Sequence, residues 1–126
     1  MKTILIVEDN EKNMKLVRDI LQHQGHTTLE AVTGADGVRL ALERRPDMVL
    51  LDIQLPDIDG IEALRRIRED SALDAVAVIA VSASVMPDDQ QKIVTSGFDA
   101  FVTKPINLKQ FLDTVKRFLT QGRTAR

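Results

Sequence analysis

Short apolar runs alternate along this chain with longer segments in which apolar residues recur every three or four positions. Thr3-Ile4-Leu5-Ile6-Val7 is rich in β-branched residues and stops at Glu8-Asp9-Asn10, which predicts a first strand. From about Glu11 to Gln24, Met14, Val17 and Leu21 share one helical face, and Gly25 supplies a stop. Thr27 to Ala31 predicts a second, weaker strand. Between Gly34 and Arg45 the spacing of Val38, Ala41 and Leu42 is helical, and Pro46-Asp47 breaks it. Met48-Val49-Leu50-Leu51 is apolar without interruption, as a strand covered on both faces is, and it ends at Asp52. Turn-forming residues fill Gln54 to Gly60. Ile61, Leu64 and Ile67 then mark a third helix, with Arg65, Arg66 and Arg68 expected mostly on its wet side and without a role. A fourth apolar run, Ala75 to Val81, ends at Ser82. Pro87-Asp88-Asp89 reads as a first helical turn, with proline early and acids near the positive helix end, and Gly97 closes that helix. Phe98 to Thr103 predicts a fifth strand ending at Lys104-Pro105. Asn107 and Gln110 have capping-box spacing ahead of the stripe Leu108, Phe111, Leu112, Val115 and Phe118.

The order is five strand–helix units. It predicts an α/β protein with buried parallel strands, helices on both faces and right-handed crossovers. One domain is expected over residues 1–121, followed by a polar tail at 122–126 in which Arg123 and Arg126 carry no assigned role.

Composition narrows the chemistry. The chain has 126 residues, 44% hydrophobic and 29% charged, enough for a core that needs no staples. Cysteine is absent, which excludes disulfides and thiolate metal sites. His23 and His26 lack a third ligand nearby and read as solvated imidazoles at a helix end. Seventeen basic residues face 19 acidic ones, a net charge of −2, so there is no general pull toward nucleic acid. Tryptophan and tyrosine are absent, and the phenylalanines do not alternate with basic residues as a base-stacking surface requires. No apolar run approaches the ~20 residues of a membrane span, and the N-terminus is not a signal peptide. The expectation is a cytoplasmic protein with neither nucleic acid nor membrane as partner.

The polar residues fall at informative places. Glu8-Asp9, Asp52, Ser82 and Lys104 each close an apolar strand. In an open parallel sheet those ends form one edge, where ligands bind. Carboxylates crowded there repel by on the order of 4 kcal/mol at 4 Å and an effective dielectric near 20. Proton uptake or a bound cation relieves that. Oxygen ligands without Cys or His point to a hard ion, Mg²⁺ first and Mn²⁺ second. Asp52 is the candidate nucleophile for a phosphoryl group, because carboxylates form aspartyl-phosphates. Such transfer needs alignment and charge neutralisation, which a cation, Lys104 and the Ser82 hydroxyl could supply.

From about Lys2 to Leu119 the chain resembles the receiver domains of two-component response regulators. The matching pieces are Ile6-Val7-Glu8-Asp9-Asn10, Leu51-Asp52-Ile53-Gln54-Leu55-Pro56, Asp59-Gly60, Val81-Ser82-Ala83 and Lys104-Pro105. The runs from Val7 to Leu16 and from Asp52 to Pro56 look like single-domain regulators of the DivK type. The resemblance implies a flavodoxin-like (βα)5 fold with strand order 2-1-3-4-5. It implies phosphorylation of Asp52 by a histidine kinase or histidine phosphotransfer protein. It also implies Mg²⁺ held by Asp9, Asp52 and the backbone carbonyl of Gln54, with Glu8 acting through water. Lys104 would contact the phosphoryl group, and Ser82 and Phe101 would switch with it. Ser82 stands where threonine is more usual in the family and Phe101 where tyrosine is frequent; Gln54 and Ser84 occupy places that, in the family, tune phosphate lifetime.

On this reading the protein is a switch rather than an enzyme, with only self-phosphorylation and self-dephosphorylation. Its output would be protein binding through the surface of the fourth helix, fifth strand and fifth helix. A receiver excised from a larger hybrid kinase or multidomain regulator is the alternative. An aspartyl-phosphate phosphatase would want a second acid where Gln54 stands. A flavin or nucleotide module would want glycines or hydroxyls where Glu8-Asp9-Asn10-Glu11 stands. A docking pseudo-receiver would have lost a pocket residue, and none is lost.

Overall fold

Five parallel strands form one sheet in the order β2-β1-β3-β4-β5 in a computed structural model that describes residues 2–83 and 86–122. Ser84 and residues 123–126, with Arg123 and Arg126, lie outside the described residues. The strands are β1 (Thr3–Val7), β2 (Thr27–Ala31), β3 (Met48–Asp52), β4 (Ala77–Ser82) and β5 (Ala100–Thr103). They alternate with α1 (Glu11–His23), α2 (Gly34–Arg44), α3 (Gly60–Arg68), α4 (Pro87–Thr95) and α5 (Leu108–Gln121). The expected doubly covered α/β architecture and its strand order are therefore present.

Burial follows position in the sheet. Every residue of the inner strands β3 and β4 is buried, which is why their sequences are apolar without alternation. The edge strand β2 keeps Thr27 and Glu30 exposed, which accounts for its weak signal. One core layer packs Met14, Val17 and Leu21 of α1 with Phe111, Val115 and Phe118 of α5 against one sheet face. The other packs Ala41 of α2, Ala63, Leu64 and Ile67 of α3, and Ile93 of α4 against the opposite face. No helix among the described residues is long and apolar enough to cross a membrane.

Helix starts are set by side chains. Asn10, Thr33, Asp59 and Asn107 each accept a hydrogen bond from the amide three residues on, capping α1, α2, α3 and α5. Such a cap contributes about 1 kcal/mol. In α4 the first helical position is Pro87, which has no amide to satisfy.

The structure removes one residue from each of two apolar stripes. Leu42 is 37% exposed and Leu108 is 55% exposed, so neither belongs to the core. On α2 Gly37 and Ala41 are buried toward the sheet with Val38 packed beside them, while Gly34 is buried under Ile58 of the loop before α3. A Cβ on Gly37 would stand 2.7 Å from Val7 Cγ2, so the close approach requires glycine. Arg68 is not a wet-face residue either. Its guanidinium donates to Leu73 O at 2.7 Å, Val76 O at 2.8 Å and Asp99 Oδ2 at 3.1 Å. The Asp99 carboxylate also accepts from Val78 N, so this ion pair joins α3 to the starts of β4 and β5. β4 starts at Ala77 rather than Ala75 because the chain is still turning after the 3-10 segment Ser71–Leu73, with Val76 N donating to Leu73 O at 3.0 Å. β5 starts at Ala100, after Asp99 N donates to Val78 O. His26 is half-buried rather than solvated. Its Nδ1 is enclosed without a hydrogen-bond partner, and burial lowers its pKa below the usual histidine value.

Candidate phosphoryl and metal site

Register delivers the polar strand ends to one edge. Val7 pairs with Leu51, Asp52 with Val81, and Ser82 with Thr103. Glu8, Asp52, Ser82 and Lys104 therefore emerge at one level. Glu8 follows β1 directly, and its amide donates to Ala31 O. The Lys104 amide donates to Ser82 O at 2.8 Å, which extends the β4–β5 pairing by one residue and aims the lysine. The Lys104-Pro105 peptide bond is cis.

The geometry is tight. Asp52 is 4% exposed, as is Glu8. Lys104 Nζ lies 2.9 Å from Glu8 Oε1 and 2.9 Å from Asp52 Oδ2. The other Asp52 oxygen, Oδ1, accepts from the Gln54 amide at 3.0 Å, and Glu8 Oε2 accepts from the Asn10 amide at 3.1 Å. Asp9 is exposed at the mouth. The cleft measures about 470 Å³ and is lined by Glu8, Asp9, Asp52, Gln54 and Lys104, with Asn10 and Asn13 on its α1 wall. Ser82 opens onto an adjoining cleft shared with Gln54, Asp59 and Lys92. Phe101 lines neither; it is half-buried against the core under α2, α3 and α4.

Electrostatics match that layout. Burial, then the neighbouring Asp52, raise the Glu8 pKa above the ordinary glutamate value, with Lys104 and the Asn10 amide opposing. Burial disfavours the Lys104 ammonium, but hydrogen bonds to Asp52 and Glu8 outweigh it and leave its pKa above the usual lysine value. The lysine is therefore charged throughout the physiological range.

The donor set fits a hard dication. Glu8, Asp9 and Asp52 each offer a carboxylate oxygen, and these atoms lie within 4.8 Å of one another. Every donor is oxygen, and the cleft is open enough to leave coordination positions for water, as Mg²⁺ prefers.

Residues 4–116 match the response regulator receiver domain family, and the chain belongs to it: this is a receiver of two-component phosphorelay signalling. Its relatives narrow the type. It is 42% identical to the polar-differentiation response regulator DivK of Brucella anthropi, over 94% of this chain and 96% of the relative. The DivK protein of Brucella abortus is 41% identical over the same shares. Among solved structures, the receiver domain of a Pseudomonas aeruginosa sensor histidine kinase has a TM-score of 0.88 and 28% identity, covering 94% of this chain and 98% of that one. That crystal structure holds a magnesium ion in its active-site cleft. A CheY-like receiver domain protein from Methanospirillum hungatei has a TM-score of 0.87 and 26% identity, over 96% of this chain and 95% of that one.

Asp57 was not legible as part of this region. Its carboxylate reaches the start of α2, 23 residues earlier in the chain, and no local pattern announces that contact.

Proposed function

We propose that Asp52 accepts a phosphoryl group from a phosphohistidine on a histidine kinase or histidine phosphotransfer protein. One observation carries this: a buried carboxylate sits beside one ammonium and two further acids, in a cleft open to a partner's side chain. The Asp52 carboxylate oxygen forms the new bond to phosphorus as the phosphorus–nitrogen bond breaks and the imidazole leaves. Asp9, Asp52 and the Gln54 carbonyl would hold Mg²⁺, or Mn²⁺ in its place, with Glu8 acting through water. The dication, when bound, supplies charge for the transferring oxygens. Lys104 is already within hydrogen-bond distance of Asp52 and needs only a small side-chain shift to take a phosphoryl oxygen. Ser82 donates its hydroxyl to the same group, and Phe101 changes packing in step.

The protein acts as a cytoplasmic switch rather than an enzyme with a separate substrate. Its chemistry is limited to its own phosphorylation and slow hydrolysis. Output is a population shift read by a protein target on the α4–β5–α5 surface, without nucleic acid or membrane. The exposed Met86, Val94 and Leu108 on that side support this reading. A receiver belonging to a larger hybrid kinase is the second reading. The likeness to the Pseudomonas aeruginosa kinase receiver favours it, and reading the gene through its flanking sequence tests it.

The test of the chemistry is incubation with acetyl phosphate and Mg²⁺ followed by intact mass. Wild type gains one phosphoryl mass, and Asp52→Asn gains none. A labelled Asp52→Asn chain would show the acceptor to be another residue.

A further inference from the structure

The loop from Ile53 to Asp59 carries Gln54 and forms one wall of the cleft. Both of its ends are pinned. Ile53 N donates to Val81 O at 3.1 Å, and Gly60 N donates to Ile53 O at 2.8 Å. A Cβ on Gly60 would stand 2.7 Å from Asp52 O, so the far end of the loop lies directly against the phosphoacceptor backbone. Between those ends, Asp57 ties the loop to another element. Asp57 Oδ1 accepts from Gly34 N at 2.8 Å and Oδ2 accepts from Ala35 N at 2.9 Å.

Those amides are the first two of α2. The third, Asp36 N, donates to Thr33 Oγ1 at 3.1 Å. The three leading amides of α2 are thus shared between a local cap, Thr33, and a carboxylate from the loop beside the site. The fit is close. Ile58 packs onto Gly34, where a Cβ would collide with Ile58 Cγ1. The two backbone donors pull the Asp57 pKa down to about 2, so the carboxylate keeps its charge wherever the protein is folded and working.

We infer that Asp57 is a positioning residue for the metal: by clamping the loop to the first turn of α2, it fixes where the Gln54 carbonyl stands. The inference rests on the proposed metal reading of the cleft. Without the clamp the loop keeps its pinned ends but samples more conformations in the middle. Metal binding must then order it, so apparent affinity falls by the populated fraction of the competent conformer.

The experiment compares Asp57→Ala, Asp57→Asn and Thr33→Ala with wild type by magnesium titration calorimetry, amide hydrogen exchange of the metal-free proteins, and urea unfolding. Thr33→Ala also removes a cap from α2 but leaves the loop clamped, so it controls for simple destabilisation. Asp57→Ala should weaken Mg²⁺ about five- to tenfold and speed exchange at Gly34, Ala35 and the loop amides. Asp57→Asn, with one remaining acceptor oxygen, should fall between it and wild type. Thr33→Ala should lower the urea midpoint and leave Mg²⁺ affinity within twofold. Unchanged affinity in Asp57→Ala, or an equal loss in Thr33→Ala, would overturn the inference while leaving the metal site intact. No magnesium uptake by wild type would remove the metal reading itself, and this inference with it.

Discussion

Lys104 shares one ammonium between Glu8 and Asp52, at 2.9 Å from each. Removing it strands two buried carboxylates without a counter-charge. Lys104→Met should therefore destabilise the metal-free protein by about 2 kcal/mol at neutral pH, below the range for fully buried pairs because the lysine is partly exposed. The pH dependence has a definite sign. A carboxyl whose folded pKa lies above its unfolded value binds its proton more tightly when folded. The Glu8 contribution is thus fully present below its ordinary 4.5 and is lost as pH rises through the higher folded value. In Lys104→Met that rise is larger, so acidification from pH 7 toward 5 should recover stability in the variant more than in wild type. Urea unfolding followed by circular dichroism measures this, since the chain has no tryptophan or tyrosine to report. At this scale the pocket was legible because Glu8, Asp52, Ser82 and Lys104 each interrupt an apolar run at its end. Asp57 was not, because its contacts go to backbone amides of a helix distant in sequence.

The elements and most of their buried faces were readable from period and punctuation; what escaped was that a glycine forms part of the face α2 lays on the sheet. In α2 the sheet contact falls on Gly37 and Ala41 with Val38 packed beside them, and of the stripe Val38, Ala41 and Leu42 only Leu42 turns out to solvent. Glycine is a contact residue there by having nothing to contact with. Gly37→Ala should cost about 1–3 kcal/mol by forcing α2 off Val7. Adding Val7→Ala in the same chain should recover part of that cost, despite creating space elsewhere, and a double-mutant cycle in urea reads the coupling. Arg68 escaped for the opposite reason. A charged residue on a helix is usually solvated, and only the folded chain shows that two carbonyls and the buried Asp99 receive it.

Across the whole molecule, five strand–helix units and buried central strands were enough to place helices on both faces of a parallel sheet. The strand order was implied by resemblance to a family, because hydrophobic pattern alone does not say which strand lies beside which. That order has a consequence for energetics. Asp52 and Lys104 are 52 residues apart in the chain, and Glu8 belongs to a third strand end. A disordered polypeptide scatters these donors, so a divalent ion held by them would bind the native state and have little affinity for the denatured one. Magnesium is therefore expected to behave as a folding ligand. At ten times its dissociation constant it should add about 1.4 kcal/mol to unfolding free energy, seen as a rise in melting temperature that chelation reverses and Asp52→Asn diminishes.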